Sequence, residues 1–174
     1  MKVDLEGAEL AVLNATQVTL SHILGVGTEL NMGPARNPDN LAGIDALLRW
    51  YGLYLFDIDI ARYPLKALPW GYLSYETNGF RIDLQQEYGQ IGTGDTVYLR
   101  DLVFERDNGL ECFEWNEANV LKMAMLHELY LLRDCAIELL QGYQASFPSS
   151  LPFDHFYDLL TTLMMEGYKR HWVR

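Results

Sequence analysis

The sequence predicts an α/β fold in its first part, followed by an α-helical tail. Apolar residues alternate at Met1, Val3 and Leu5, which is the spacing of a strand, and a glycine turn and a helical pattern follow directly. Beyond about Asn116 the apolar residues recur at helical spacing instead. A chain of 174 residues that is 49% hydrophobic is also long and apolar enough to bury a core.

The first strand runs into an acidic turn. Gly7 permits the reversal of the chain, and a helix is predicted over residues 8–15. Three carboxylates, those of Asp4, Glu6 and Glu9, meet at this turn. Ligands of open α/β sheets bind beyond the carboxyl ends of the strands, so these acids are candidate site residues. Acids at the start of a helix also complement its dipole, and this structural explanation stays open.

The next predicted strand covers His22–Leu30 and includes Glu29. A polar loop, Asn31–Pro38, follows at the same edge of the sheet, where loops often carry functional residues. A helix is expected from Asp39 or Asn40 to about Tyr51, because apolar residues at helical spacing lead to Gly52.

A third strand is predicted over Leu53–Ile60, with Asp57 and Asp59 on one face. Such a pair could bind a metal ion, but acids on an edge strand also point into solvent, and we favour that interpretation. The segment Pro64–Gly94 is rich in aromatic residues and is either a small hairpin packed on the sheet or a lid over the acidic turn. The last strand is expected over Asp95–Phe104.

The helical tail completes the predicted architecture. We divide the chain into an α/β part, residues 1–110, and a helical extension, residues 111–174. The extension is expected to form a helical hairpin or one long kinked helix, with a third helix after Pro152. Its methionines serve either as core residues or as a binding groove, and we favour the core.

The first segment carries a family signature. Lys2–Glu9, with Val12 and Leu13 after it, resembles the signature of the FkbM-type methyltransferases, which are Rossmann-like and use S-adenosylmethionine. In that family the signature forms the fourth strand and the following helix. His22–Leu30 is similar to the fifth strand, and Gly94–Arg100 to the closing strand, over about the first 105 residues in all. The resemblance implies a mixed sheet of order 4-5-7-6, the carboxyl-terminal half of the methyltransferase sheet, in which the closing strand is antiparallel.

The resemblance also implies an activity, O-methylation of a hydroxyl on a small molecule or sugar. Asp4, Glu6 and Glu29 would then be the catalytic residues, able to orient the acceptor or take its proton. Glu9 and Asn31 would bind the substrate. The implied cofactor is S-adenosylmethionine, but the family holds it on the first three strands, and this chain begins at the fourth.

The cofactor-binding residues therefore stay unknown. The two glycine-dense stretches, Leu24–Gly27 and Gly89–Gly94, lie within a strand pattern and before a strand, whereas a Gly-x-Gly-x-x-Gly turn lies between a strand and a helix. We interpret the second as a hairpin loop. We expect the chain to bind S-adenosylmethionine weakly or not at all and to be inactive alone. The alternative is a non-catalytic domain, derived from a methyltransferase, for protein interaction or oligomerisation.

Composition limits the partners. With 13 Lys and Arg against 24 Asp and Glu, the net charge of −11 disfavours nucleic acid and anionic membranes. The chain has no apolar run of about 20 residues and no signal-peptide pattern, so we expect a cytoplasmic protein. Its partners would be a small-molecule acceptor and a second copy or another protein covering the apolar edge of the first strand, most simply in a dimer. No metal site is predicted, because His127, His155 and His171 lack ligand spacing.

Overall fold

The computed structural model describes residues 1–5, 7–31, 41–63, 74–77, 80–83 and 90–172. The chain divides into two compact units, Met1–Leu99 and Arg100–Arg174, which we call the sheet unit and the helical unit. The sheet unit contains, in chain order, β1 (Lys2–Val3), α1 (Glu9–Ala15), α2 (Gln17–Leu20), β2 (Gly25–Asn31), α3 (Leu41–Trp50), β3 (Tyr54–Tyr63), β4 (Ser74–Thr77), β5 (Phe80–Asp83) and β6 (Gln90–Leu99). The helical unit contains α4 (Leu102–Asp107), α5 (Glu117–Leu129), α6 (Arg133–Ser146) and α7 (Phe153–Trp172).

Four strands form a mixed sheet in the order β1-β2-β6-β3. β1 and β2 are parallel, and β6 lies between β2 and β3 and is antiparallel to both. The α/β class, the strand order and the antiparallel closing strand are therefore confirmed. β1 and β3 are the edge strands of this sheet among the described residues.

The aromatic segment contains a second, smaller sheet. β4 and β5 pair antiparallel, with Ser74 opposite Asp83 and Thr77 opposite Phe80. This pair agrees with the hairpin alternative. The rest of residues 64–89 lies outside the described residues, as does the predicted loop over residues 32–40, so a lid over the acidic turn stays a hypothesis.

Two predictions about the last strand are wrong. The strand covers Gln90–Leu99, so the glycines expected in a hairpin loop, Gly92 and Gly94, lie inside it. The residues expected to end the strand instead form α4, because the carboxylate of Asp101 accepts a hydrogen bond from the backbone N–H of Phe104 at 2.9 Å. That bond satisfies a free donor of the first helical turn and starts the helix.

One face of the sheet is buried. Val26, Thr28 and Leu30 alternate along β2 on this face and are at most 1% exposed. The apolar residues packed with them come from the helices and the neighbouring strands, namely Val3, Leu13, Leu20, Ile44, Leu48, Leu53 and Tyr98. The helices α1 to α3 thus cover one side of the sheet, and the other alternating set of side chains points away from this core.

The helical unit is built around α6, which packs against α4, α5 and α7. The side chain of Asn116 caps α5 by accepting the backbone N–H of Asn119 at 3.0 Å. α5 and α6 form the hairpin alternative of the prediction, and Leu131, with φ of 60°, lies in the turn between them. Met123 is a core residue, whereas Met125 is 67% exposed, so the methionines do not share one role.

No helix among the described residues has both the length and the apolar character that a membrane span requires.

Candidate functional site

The acidic turn after β1 is fastened by Glu9. Its side chain is only 4% exposed, and its two carboxylate oxygens accept the backbone N–H groups of Leu5 at 2.8 Å and Gly7 at 2.9 Å. Gly7 has a φ of 106°, a conformation that side chains disfavour, so the turn requires glycine there. Glu9 therefore shapes the turn, and both of its oxygens are already engaged by the backbone.

Asp4 lies at the same turn, but its side chain points towards solvent, unlike the buried side chain of Glu9. Its side chain is 43% exposed and forms an ion pair with Lys2, with Nζ and Oδ2 3.2 Å apart. Val3 is paired with the buried Thr28, so the alternation of the strand places Lys2 and Asp4 on the opposite face, away from the core. Glu6, the third acid of the turn, lies outside the described residues.

Glu29 belongs to a row of carboxylates that crosses the sheet. On β2 it lies opposite Asp95 of β6, and Asp95 lies opposite Asp59 of β3. Residues directly opposite each other share a face, so all three point away from the core. Asp57 shares this face, and both predicted strand aspartates are exposed, as expected. Like charges in direct opposition on neighbouring strands are unfavourable.

Asn31 lies two residues beyond Glu29, at the end of β2. It is exposed and lies opposite Thr93 of β6, on the same face as Glu29. The structure therefore places Asp4, Glu29 and Asn31 on one face of neighbouring strands, while Glu9 turns inward. Among the described residues, no group of three His, Cys, Asp or Glu side chains could hold a metal ion.

Sequence reasoning missed Asp95 as a member of this face. Asp95 was placed at the start of a strand, and only the register of β2, β6 and β3 shows that it stands between Glu29 and Asp59. The alternation of polar and apolar residues along each strand gave the face of each acid. It did not give the alignment between strands.

The described glycines of the two glycine-dense stretches lie inside strands. Gly25 and Gly27 lie within β2, and a Cβ on Gly25 would stand 2.6 Å from Cδ2 of Leu99 and 3.0 Å from the carbonyl oxygen of Tyr98. Gly25 is therefore required for the close approach of β2 and β6. Gly92 and Gly94 lie within β6. A glycine-rich cofactor-binding turn lies between a strand and a helix, so these four glycines do not form such a turn.

The helical unit contains a second polar cluster, which sequence reasoning missed entirely. Arg100 is fully buried and Glu105 is 2% exposed, with Nη1 and Oε1 4.0 Å apart. The indole N–H of Trp115 donates to Oε2 of Glu105 at 3.1 Å. The prediction of a strand through Phe104 hid this pair, because helix α4 is what carries Glu105 inward.

Comparison with protein-family models, with curated proteins and with solved structures found no match. The motif at Lys2–Glu9, the strand order and the placement of the acids are the features that bear on function.

Proposed function

We propose that the sheet unit is the acceptor-binding half of an FkbM-like, S-adenosylmethionine-dependent O-methyltransferase that acts on a hydroxyl of a small molecule or sugar. The observation that carries this proposal is the strand order β1-β2-β6-β3 with β6 antiparallel. It is the order that the signature at Lys2–Glu9 implies. A shared fold alone does not give a function, so the side chains at the sheet edge must support it.

The outward face at the ends of β1 and β2 has the chemistry for a hydroxyl acceptor. Ionised carboxylates are acceptors only, so Asp4 and Glu29 would each receive a hydrogen bond from a hydroxyl group. The amide of Asn31 both donates and accepts. A carboxylate that holds the reacting hydroxyl can also remove its proton, and Asp4 is our first choice for this role.

The other two predicted residues have different parts in the proposal. Glu9 holds the turn that presents Asp4, through its bonds to the N–H groups of Leu5 and Gly7. It acts on the substrate only through the turn. Glu6 keeps its proposed catalytic role at this turn, but its position is outside the described residues.

The methyl donor implied by the resemblance is S-adenosylmethionine, and we propose that this chain binds it weakly or not at all. The glycines that could have formed a cradle for it lie inside β2 and β6. Titration calorimetry checks this, and a dissociation constant in the low micromolar range, about −8 kcal/mol, would contradict it.

Acceptor binding tests the proposed function. We expect the full chain to bind methyl glycosides in the millimolar range by calorimetry, with a standard free energy of about −4 kcal/mol. Asp4→Asn and Glu29→Gln keep the shape of each side chain and remove its charge, and each should weaken binding by about tenfold, since bonds to charged groups are the stronger ones. Glu138→Gln, at an exposed position on α6, is the matched control and should bind as the unchanged chain does.

A non-catalytic interaction domain is the second candidate, favoured by an apolar groove in the helical unit. α5 and α7 both pack against α6, and between them lies a groove of about 340 Å³ with the buried Leu140 among its lining residues. Met125 and Leu159 line it and are 67% and 51% exposed. A contiguous apolar surface that is exposed in this way is typical of a protein interaction site.

Self-association would cover this groove or the edge strand β1. We propose a two-fold dimer, and light scattering at several protein concentrations checks it. Leu159→Glu should shift the mass towards the monomer, whereas Val18→Glu, at an apolar position 79% exposed in the sheet unit, should not. A monomer mass that persists at high concentration would exclude the dimer.

A further inference from the structure

A cavity of about 390 Å³ lies in the helical unit. Its walls include the aromatic rings of Phe113, Trp115 and Phe147. The rings of Phe113 and Trp115 meet edge to face, with centroids 5.3 Å apart and planes at 72°. This volume lies within the range of small-molecule sites, which are typically about 300–1,000 Å³ and combine apolar walls with a few polar groups.

The most buried polar group of this cavity is the carboxylate of Glu105. Its Oε2 accepts the indole N–H of Trp115, while Oε1 has no hydrogen-bond partner. The nearest cation, Nη1 of Arg100, is 4.0 Å from Oε1, which is beyond hydrogen-bond length. That nitrogen donates instead to the carbonyl oxygen of Cys112 at 3.2 Å, and the guanidinium lies 4.4 Å from the centroid of Phe113. A buried carboxylate oxygen without a hydrogen bond is unfavourable until a donor reaches it.

The charges around the cavity favour a cation. Two further carboxylates, those of Glu111 and Glu114, line it at exposed positions. Arg106, which also lines the cavity, is bound to Asp107, with Nε donating at 2.9 Å and Nη2 also 2.9 Å from the same oxygen. The carboxylates of Glu105, Glu111 and Glu114 outnumber the guanidinium groups of Arg106 and of Arg100, which lies 4.0 Å from Glu105.

We propose that this cavity binds a small organic cation with an apolar body, a substituted amidinium, guanidinium or ammonium. Its charged end would approach Glu105 and donate to Oε1, and its body would pack against Phe113, Trp115 and Phe147. Aromatic faces attract cations, and a planar amidinium or guanidinium also matches the geometry of a carboxylate. Burial raises the pKa of Glu105, and a bound cation would favour its ionised form. The proposal does not depend on the methyltransferase activity.

The full chain can be tested with benzamidine and benzamide, which have nearly the same shape and differ in charge. We expect benzamidine to bind at least about tenfold more tightly by calorimetry, because only the cation gains from Glu105. The indole N–H resonance of Trp115 should shift during the titration, since this group donates to Glu105. Equal binding of the two probes, or benzamidine binding without a shift of that resonance, would overturn the proposal.

Variants of the lining glutamates show which carboxylate binds the cation. Glu105→Gln keeps an acceptor for Trp115 and should weaken benzamidine binding at least about tenfold, while Glu138→Gln on α6 should leave it unchanged. The double variant Glu111→Gln with Glu114→Gln removes only exposed charges, so its fold should persist, and we expect about threefold weaker binding. If Glu105→Gln does not fold, the double variant decides, and unchanged affinity there would contradict the proposal.

Discussion

The two units bury one glutamate each and satisfy it in different ways. Glu9 of the sheet unit receives two backbone N–H groups from residues two and four positions away. Glu105 of the helical unit depends on the side chains of Trp115 and Arg100, and one of its oxygens has no hydrogen bond. A carboxylate saturated by nearby backbone is a structural element. A carboxylate held by distant side chains can still accept a ligand.

This difference between Glu9 and Glu105 leads to a different kind of candidate site in each unit. In the sheet unit the buried acid fixes a turn, and the acids that we propose to bind a ligand are the outward-facing Asp4 and Glu29. In the helical unit the buried acid is itself the candidate ligand-binding group.

Replacing Arg100 with methionine should have the largest effect. The guanidinium is fully buried, and its loss leaves Glu105 without a compensating charge. We expect the free energy of unfolding to fall by about 4 kcal/mol, as for other buried ion pairs that lose one partner. Urea unfolding followed by circular dichroism measures this. Adding Glu105→Gln should restore part of the loss. Unchanged stability of the Arg100→Met single variant would show that the buried Glu105 does not need the charge of Arg100.

Glu9→Ala should come second. Its removal leaves the N–H groups of Leu5 and Gly7 without their acceptor and abolishes two charge-assisted hydrogen bonds. We expect a loss of about 3 kcal/mol in the same unfolding experiment. Glu138→Ala, at an exposed site, should change stability by no more than about 0.5 kcal/mol. A loss as small as this for Glu9→Ala would show that the turn does not need its carboxylate.

Acid should destabilise the helical unit through His127. This side chain is 2% exposed, and burial lowers its pKa from 6.5 to about 4. In the unfolded chain His127 binds a proton below about pH 6.5, whereas in the folded chain it stays neutral until near pH 4. The free energy of unfolding therefore falls as the pH falls through this window. We expect a loss of about 2 kcal/mol between pH 7 and pH 5.

Unfolding measured at several pH values tests this assignment. Replacing His127 with leucine removes the titrating group and should flatten this part of the profile, whatever its effect on stability at pH 7. A profile of unchanged slope would assign the pH dependence to other groups.

Removing the caps should have the smallest effect. Asp101→Ala deletes the acceptor for the N–H of Phe104 at the start of α4, and Asn116→Ala does the same for Asn119 at the start of α5. Each should lower the free energy of unfolding by about 1 kcal/mol. Thermal melts of the two variants should agree, and no decrease in either would mean that water replaces the cap.

The sequence predicted the strands well because alternation is a local pattern, whereas their order was implied by the family resemblance of Lys2–Glu9. It misplaced the end of β6, since the apolar residues continue past Leu99 and hid the cap at Asp101. That aspartate, followed by a helical pattern, was the signal that could have corrected the boundary. The alignment of Glu29 with Asp95 and Asp59 required the register between strands, which no single strand encodes.

The buried pair in the helical unit was beyond the same reasoning. Arg100 and Glu105 meet only because a helix turn follows the strand, and the part played by Trp115 depends on the chain returning to α4. Charged residues are seldom fully buried, so the pattern gave no reason to look for them in a core.

The most direct test of the central claim is a map of acceptor binding on the sheet unit. In heteronuclear NMR, titration of the full chain with a methyl glycoside should shift the backbone amides of Asp4, Glu29 and Asn31. Those of α6 should stay unchanged, and Asp4→Asn should reduce the shifts. Saturating shifts confined to the helical unit, or none at the ends of β1 and β2, would contradict the proposal that this face binds a hydroxyl acceptor.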